Sequence, residues 1–268
     1  YLKSKHRRVF YDAEHFFDGY KTNPEYALET IRREVEAGAE RVILCDTNGG
    51  TMPWEIKKIC QVVQRECQVP LGIHAHNDCE MAVANSLVAI EMGVVQVQGT
   101  INGIGERCGN ANLCSIIPNL QLKMKRSALG DRLNNLKEVS GFVTEIAYLM
   151  PNKQQPYVGE STFAHKGGVH IHAVLKNPAT YEHVVPSLVG NRQRMLVSEQ
   201  EGKASAQKQY AQMMAEAQKK NALDRDAAQV ARVKAITSRL VPQTVVFRPD
   251  AQKWAWEVHV LTLNEVNA

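Results

Sequence analysis

The sequence predicts an α/β fold, the C-terminal half of a (β/α)8 TIM barrel followed by a mainly helical subdomain. Up to about residue 126, four short runs that are apolar on both faces each lead into a helical stretch, as strands do in a parallel sheet covered by helices. Each run ends in polar residues. A barrel collects functional side chains from the carboxyl ends of many strands, whereas an open doubly wound sheet concentrates them at one switch point, so the barrel is favoured.

The helices of this region have clear boundary residues. Gly38 and Gly93 follow two of them, in the position where glycine commonly ends a helix, and Pro53 suits a first helical turn. The predicted units, in order, are strand 8–11 with helix 24–37, strand 41–45 with helix 53–66, strand 70–74 with helix 79–92, and strand 94–99 with helix 111–123.

A complete barrel needs eight strands, and the pattern shows four. Either two copies complete each other or the first half precedes Tyr1. Because the first residue is not methionine, we expect the second explanation to hold. The chain alone is then expected to be inactive.

After residue 126 the alternation stops. We divide the chain into a partial barrel (1–126), a helical cap or dimerisation subdomain (127–240) and an unassigned stretch (241–268). Within the last two parts the pattern predicts an amphipathic helix over 133–150, a linker over 151–162, a short helix or turn over 165–175, charged helices over 201–220 and 225–240, and strands within 244–263.

Composition limits the class of protein. The chain has 268 residues, a net charge of +4 and 22% charged residues, which is ordinary for a globular protein and far from the basic surface of a dedicated nucleic-acid binder. No apolar run approaches the roughly 20 residues that span a bilayer. The six cysteines fall at irregular intervals, which favours reduced thiols in a cytoplasmic protein. We therefore expect neither nucleic acid nor a membrane as a partner.

His74 and His76 form the strongest functional motif. Residues i and i+2 of a strand project to the same face, about 6–7 Å apart, so the two imidazoles can share one metal ion. Asn110, beyond the next predicted strand, could add a neutral oxygen ligand suited to Mg²⁺, Mn²⁺ or Zn²⁺. Taken alone, Asn110 is better explained as a turn residue.

Other candidates are weaker without further information. Glu14 and Thr47 follow strands and could contact a substrate, although a helix-capping or turn role explains each of them as well. His165, His170 and His172 lie beyond the barrel. A single catalytic histidine on a cap over the barrel mouth is more attractive than a second zinc site, and a structural role stays open.

The motifs together resemble those of the acyl-CoA-condensing enzymes of the divalent-metal TIM-barrel superfamily, which include 2-isopropylmalate, homocitrate and citramalate synthases. The likeness extends over about residues 8–200 and is nearest to the citramalate branch. The matching strings are 12–20 (DAEHFFDGY), 45–51 (CDTNGGT), 74–78 (HAHND), 102–110 (NGIGERCGN), 163–170 (FAHKGGVH), 181–183 (YEH) and 188–191 (LVGN).

The resemblance implies a role for each candidate residue. His74 and His76 would ligate a divalent metal, with Asn110 at or beside it. Glu14 would lie in the substrate site, and Thr47 would contact the carboxylate of a 2-oxo acid. His170 and Tyr181 would act together. His170 would reach the active site of a neighbouring subunit and transfer protons, accompanied by Tyr181.

The implied activity is condensation of acetyl-CoA with a 2-oxo acid, first of all pyruvate to give citramalate, by a homodimer in isoleucine and leucine biosynthesis. The family's opening strand, whose Arg-Asp pair supplies an arginine and an aspartate metal ligand, has no counterpart in residues 1–10. A different 2-oxo acid, a metal-dependent acyl-CoA lyase and a non-catalytic interaction module are the alternatives. The loop at 102–110 argues against the lyase.

Overall fold

The structure is a computed structural model that describes residues 1–196, 199–246 and 255–262. The chain forms two compact units, residues 1–196 and 197–268. The strands are β1 (Phe10–Ala13), β2 (Arg41–Asp46), β3 (Leu71–Ala75), β4 (Gln96–Gln98), β5 (Ala164–His165) and β6 (Arg194–Met195), and the helices are α1 (Phe16–Thr22), α2 (Pro24–Glu36), α3 (Pro53–Glu66), α4 (Ala82–Glu91), α5 (Leu113–Pro118), α6 (Leu136–Ile146), α7 (Gly168–Lys176), α8 (Glu199–Lys219) and α9 (Ala227–Leu240).

The first four strands form one parallel sheet in the order β1-β2-β3-β4. A sheet whose neighbouring strands follow chain order is typical of a barrel wall, because the strand order of a doubly wound sheet reverses at its switch point. Right-handed crossovers that all advance in one direction place their helices on the same face. The predicted α/β class is confirmed.

Strand alternation separates two faces of this sheet. One face packs on the helices through a buried cluster that includes Val42, Leu44 and Ile73. The opposite face carries polar residues, and here Gln98 of β4 donates a 3.0 Å hydrogen bond to Asp12 of β1. Those strands are three spacings apart, about 14 Å in a flat sheet. The sheet is therefore curved towards its polar face, as the wall of a barrel is.

The rest of the first unit contains a second buried cluster. Tyr157, Val158 and Phe163 belong to it, together with Leu133 and Val189. The prediction of a linker over 151–162 was wrong: this Pro- and Gly-containing segment lacks regular structure, as expected, but two of its side chains, Tyr157 and Val158, are part of a core.

Two predicted helices are shorter than expected. The helix predicted for 133–150 is α6, and a 3₁₀ turn over Gly130–Asn135 precedes it. Tyr148, shortly after α6, has a φ of 54°, a left-handed conformation that helical periodicity does not reveal. The helix predicted for 111–123 is α5, which continues as a π-helical turn over Asn119–Lys123.

The second unit contains the two charged helices that the pattern predicts, α8 and α9. The Asp226 side chain accepts hydrogen bonds from two backbone amides at the start of α9 and so caps it. The strands predicted within 244–263 were wrong for residues 255–262, which carry only an isolated bridge between Leu261 and Leu223. Trp254 lies outside the described residues. Among the described helices, each is too short or too polar to cross a membrane.

Candidate metal and substrate site

His74 and His76 meet at the carboxyl end of β3. Their Nε2 atoms are 3.4 Å apart, and the side-chain amide nitrogen of Asn110 lies 3.2 Å from His74 Nε2. The other ring nitrogen of His74, Nδ1, is 2.8 Å from Gln98 Oε1. Within the part of the chain that the structure describes, the Nδ1 atom of His76 is buried without a hydrogen-bond partner. The structure thus brings together the three residues that the sequence suggested as a metal site.

The glycine-rich loop delivers Asn110 to this point. His76 and Asn110 form an isolated antiparallel bridge, and Asn77 N donates to Gly109 O at 2.9 Å. A Cβ on Gly105 would stand 2.8 Å from Asn110 Cγ and closer still to its Oδ1. The absence of a side chain at Gly105 is therefore what lets the Asn110 amide lie in place.

The same loop is held from the other side by Asn102, whose φ is 64°. Its amide nitrogen donates to Ser140 O and Thr144 Oγ1 at 2.8 and 2.9 Å, and its oxygen accepts from Ser140 Oγ and Gln155 Nε2. Asn102 thereby ties the loop to α6 and to the core segment around residue 155. Asn102 belongs to the 102–110 motif, but the motif by itself does not reveal this role.

The residues present fit a divalent cation in part. Ligands bound at about 2.0–2.1 Å stand roughly 3.0–3.4 Å from one another. The 3.4 Å between the two Nε2 atoms and the 3.2 Å from His74 Nε2 to the Asn110 amide match that spacing. A half-turn of the Asn110 amide would present its oxygen. All three groups, however, are metal ligands without a negative charge. In residues 1–196, 199–246 and 255–262, no group of three or more His, Cys, Asp or Glu side chains is placed to hold a metal.

Asp46, a carboxylate near this site, faces elsewhere. It is buried, and Thr51 donates to it from Oγ1 at 2.7 Å and from its backbone amide at 3.3 Å. Burial raises the pKa of the Asp46 carboxyl, while the Thr51 bonds oppose that shift. Through these hydrogen bonds Asp46 stabilises the turn that precedes α3.

Thr47 and Glu14 follow β2 and β1 at the same end of the sheet. Thr47 Oγ1 accepts a 2.8 Å hydrogen bond from His15 N, which leaves the hydroxyl proton available to another acceptor. Glu14 is exposed, and its backbone amide bonds to Asp12 O at 3.0 Å. The structure places both side chains on neighbouring loops, as strand order requires.

Arg107 joins three of these loops and was missed by the sequence analysis. Its guanidinium donates to both Asp78 carboxylate oxygens, at 2.7 and 2.9 Å, and to Thr47 O at 2.7 Å. Hydrogen bonding to Arg107 lowers the pKa of Asp78. The sequence signal for Arg107 was the presence of polar residues after each strand. Its pairing with Asp78 and Thr47 depends on how the loops meet in the folded chain.

His170 and Tyr181 lie elsewhere in the first unit. Their rings stack with centroids 4.4 Å apart, and both residues are exposed. Beside them His165 and Glu182 are buried with 3.1 Å between Nε2 and Oε1. Among the described residues, the hydrogen bonds and ring contacts of His170 and Tyr181 do not connect them to His74, His76 or Asn110.

Comparison with known proteins gives a consistent result. A family model described as HMGL-like matches residues 2–143, and one described as homocitrate synthase post-HMGL domain-like matches residues 157–239. The (R)-citramalate synthase of Geobacter sulfurreducens is 60% identical over 206 residues, 76% of this chain and 39% of that protein. The (R)-citramalate synthase of Synechocystis is 55% identical over 75% of this chain and 39% of that protein.

A 2-isopropylmalate synthase of Methanocaldococcus jannaschii is 37% identical over 75% of this chain and 38% of that protein. The chain thus spans about two fifths of the length of the curated relatives it matches. The resemblance inferred from the motifs is confirmed, including its nearness to the citramalate branch. Since the first family model covers more than half of its residues, the chain belongs to the HMGL-like family.

Proposed function

We propose that the complete protein condenses acetyl-CoA with a 2-oxo acid, pyruvate first, to give citramalate and free CoA. Support comes from the higher identity to (R)-citramalate synthases, 60% and 55%, than to a 2-isopropylmalate synthase, 37%. It also comes from the convergence of His74, His76 and Asn110 at the carboxyl ends of the strands, where barrel enzymes hold their active sites. The pathway would be branched-chain amino-acid synthesis in the cytoplasm.

His74, His76 and Asn110 would hold the divalent metal, and a carboxylate from outside these three would add the charge that the site lacks. A cation bound here supplies a Lewis acid for a ketone oxygen. Thr47 would donate its free hydroxyl proton to the carboxylate of the 2-oxo acid. Glu14, exposed at the end of β1, would face the same substrate.

His170 would remove a proton from the acetyl-CoA methyl group, with Tyr181 stacked against its ring. The carbanion would then attack the 2-oxo carbon, and the proton taken by His170 would pass to the oxygen on that carbon. Water would hydrolyse the thioester and release CoA. Because His170 is exposed and not connected to His74, we propose that it serves the site of a second subunit in a homodimer.

The test measures thiol release from acetyl-CoA by the full-length protein, with pyruvate, 2-oxoisovalerate and 2-oxoglutarate in parallel and product identification. We expect metal-dependent turnover with pyruvate in preference to the other two. His76→Ala should abolish turnover of every 2-oxo acid, whereas His6→Ala, at an exposed position, should leave it unchanged. Near-normal activity of His76→Ala would remove the metal assignment, and products of acyl-CoA cleavage would favour a lyase.

A further inference from the structure

Gln98 lies between the candidate metal site and a carboxylate that is not part of it. Its Oε1 is 2.8 Å from His74 Nδ1, and its Nε2 donates to Asp12 Oδ1 at 3.0 Å. The three residues come from β4, β3 and β1, and the curvature of the sheet brings them together on its polar face.

The direction of these hydrogen bonds is determined by chemistry. An ionised carboxylate only accepts hydrogen bonds, so Asp12 must face the NH₂ group of Gln98. The Gln98 carbonyl oxygen then faces His74, and because that oxygen also only accepts, the proton of the neutral imidazole must be on Nδ1. The lone pair of His74 is consequently on Nε2, the atom that faces His76 and Asn110.

His76 differs in this respect. Its Nδ1 is buried and has no hydrogen-bond partner among the described residues, so no hydrogen bond from them to that atom selects its tautomer. Among the described residues, the ring contact that can select the His76 tautomer is therefore the 3.4 Å approach of its Nε2 to His74 Nε2, so it depends on the tautomer of His74.

We propose that Gln98, oriented by Asp12, is a positioning residue that holds His74 in the tautomer whose Nε2 binds the metal. This inference rests on the metal site of the proposed function. Groups that orient a metal-bound imidazole typically change metal affinity by about 10- to 100-fold when they are removed. Asp12 is thereby coupled to the site through Gln98.

The test replaces the hydrogen-bonding groups of Gln98 and Asp12 in the full-length protein. Gln98→Leu removes both bonds. Gln98→Glu still accepts from His74 but places a second carboxylate against Asp12. The double variant Asp12→Asn with Gln98→Glu restores a donor facing an acceptor, with the same net charge as the original pair. Gln96→Glu is the matched control, because Gln96 lies one layer lower on β4 and bonds Arg41 instead of a histidine.

Two measurements are made on each variant: ¹⁵N NMR of the neutral His74 ring in metal-free protein, and the Mn²⁺ dissociation constant. We expect Gln98→Leu to lose the single tautomer and to weaken Mn²⁺ binding about 10- to 100-fold. The double variant should bind within about threefold of the original protein and more tightly than Gln98→Glu alone, and Gln96→Glu should retain the His74 tautomer.

An unchanged tautomer in Gln98→Leu would overturn the inference, as would a double variant no better than Gln98→Glu. Failure of the proposed function looks different. In that case the original protein would not bind Mn²⁺, while its His74 would still show the single tautomer and Gln98→Leu would still lose it.

Discussion

The first unit contains two groups of candidate residues, and they are held in very different ways. At the end of β3, His74 contacts Gln98, His76 and Asn110 at once, and each contact comes from a different chain segment. The exposed residues His170 and Tyr181 contact each other through a ring stack, and Tyr181 also meets the His165 ring edge-on. The first group is held together by contacts within this chain, whereas the proposed role of the second group is in the active site of another subunit.

This difference separates two kinds of functional residue. A metal site requires several donors at fixed spacing, and neighbouring strands of a curved sheet provide that spacing. A proton-transfer residue needs only to reach the substrate, so it can come from an exposed segment. Changes in the first group should therefore alter metal binding, and changes in the second should alter turnover alone.

The largest expected effect follows from Gly105→Ala. The new methyl group would displace the Asn110 side chain, so Mn²⁺ binding should weaken by about 100-fold or more and turnover should be lost. Because the obstructing atoms belong mainly to a movable side chain, the protein should still fold. Binding titration and thermal denaturation provide the two measurements.

Gly19→Ala is the matched control, since a Cβ there meets nothing within 4 Å. That variant should bind Mn²⁺ normally and be slightly more stable, by about 0.5–1 kcal/mol, because alanine favours the helical state. Normal metal binding by Gly105→Ala would mean that Asn110 does not contribute to the site.

An intermediate effect is expected for His170→Ala. Loss of a general base should lower kcat about 10²- to 10⁴-fold. The Mn²⁺ affinity should stay within about twofold of the original value, and the free energy of unfolding within about 0.5 kcal/mol. His172→Ala, an exposed histidine on the same helix, serves as the control and should keep kcat. Loss of Mn²⁺ binding in His170→Ala would contradict the separation of the two groups.

The smallest effect concerns pH and His183, which lies against the second buried cluster. The His183 ring lies against Tyr157 and Phe163, with centroids 5.2 and 6.3 Å away. Partial burial, and secondarily the charge of Lys123, lower the pKa of His183 below 6.5. The unfolded chain then binds the proton first, so stability is retained above pH 6.5 and declines as pH falls through 6.5 towards the folded-state pKa.

Urea denaturation at pH 8 and at pH 5.5 measures this decline, and His183→Phe should make it smaller because the titrating group is gone. The comparison with the unmodified protein cancels the contribution of other histidines. An equal decline in both proteins would show that His183 titrates alike in the folded and unfolded states.

Much of this fold was predictable from local pattern. The alternation of apolar runs and helices predicted the parallel sheet, and the ends of α3, α8 and α9 lie within about two residues of their predicted positions. The segment 151–162 was predicted wrongly because Pro and Gly report backbone geometry but not burial, and Tyr157 and Val158 fill a core there. The polar alternation of Gln96 and Gln98 in a short strand was a sequence signal for Gln98. No prediction was based on it.

The sequence by itself determined that His74 and His76 share a strand face, because the two-residue period of a strand is a property of the local backbone. Only the tertiary structure decided that Gln98 meets Asp12 across two intervening strands and that Asn110 reaches His74 over Gly105. Those contacts depend on sheet curvature and on the path of a loop, which result from the packing of the whole unit rather than from the spacing of residues along the chain.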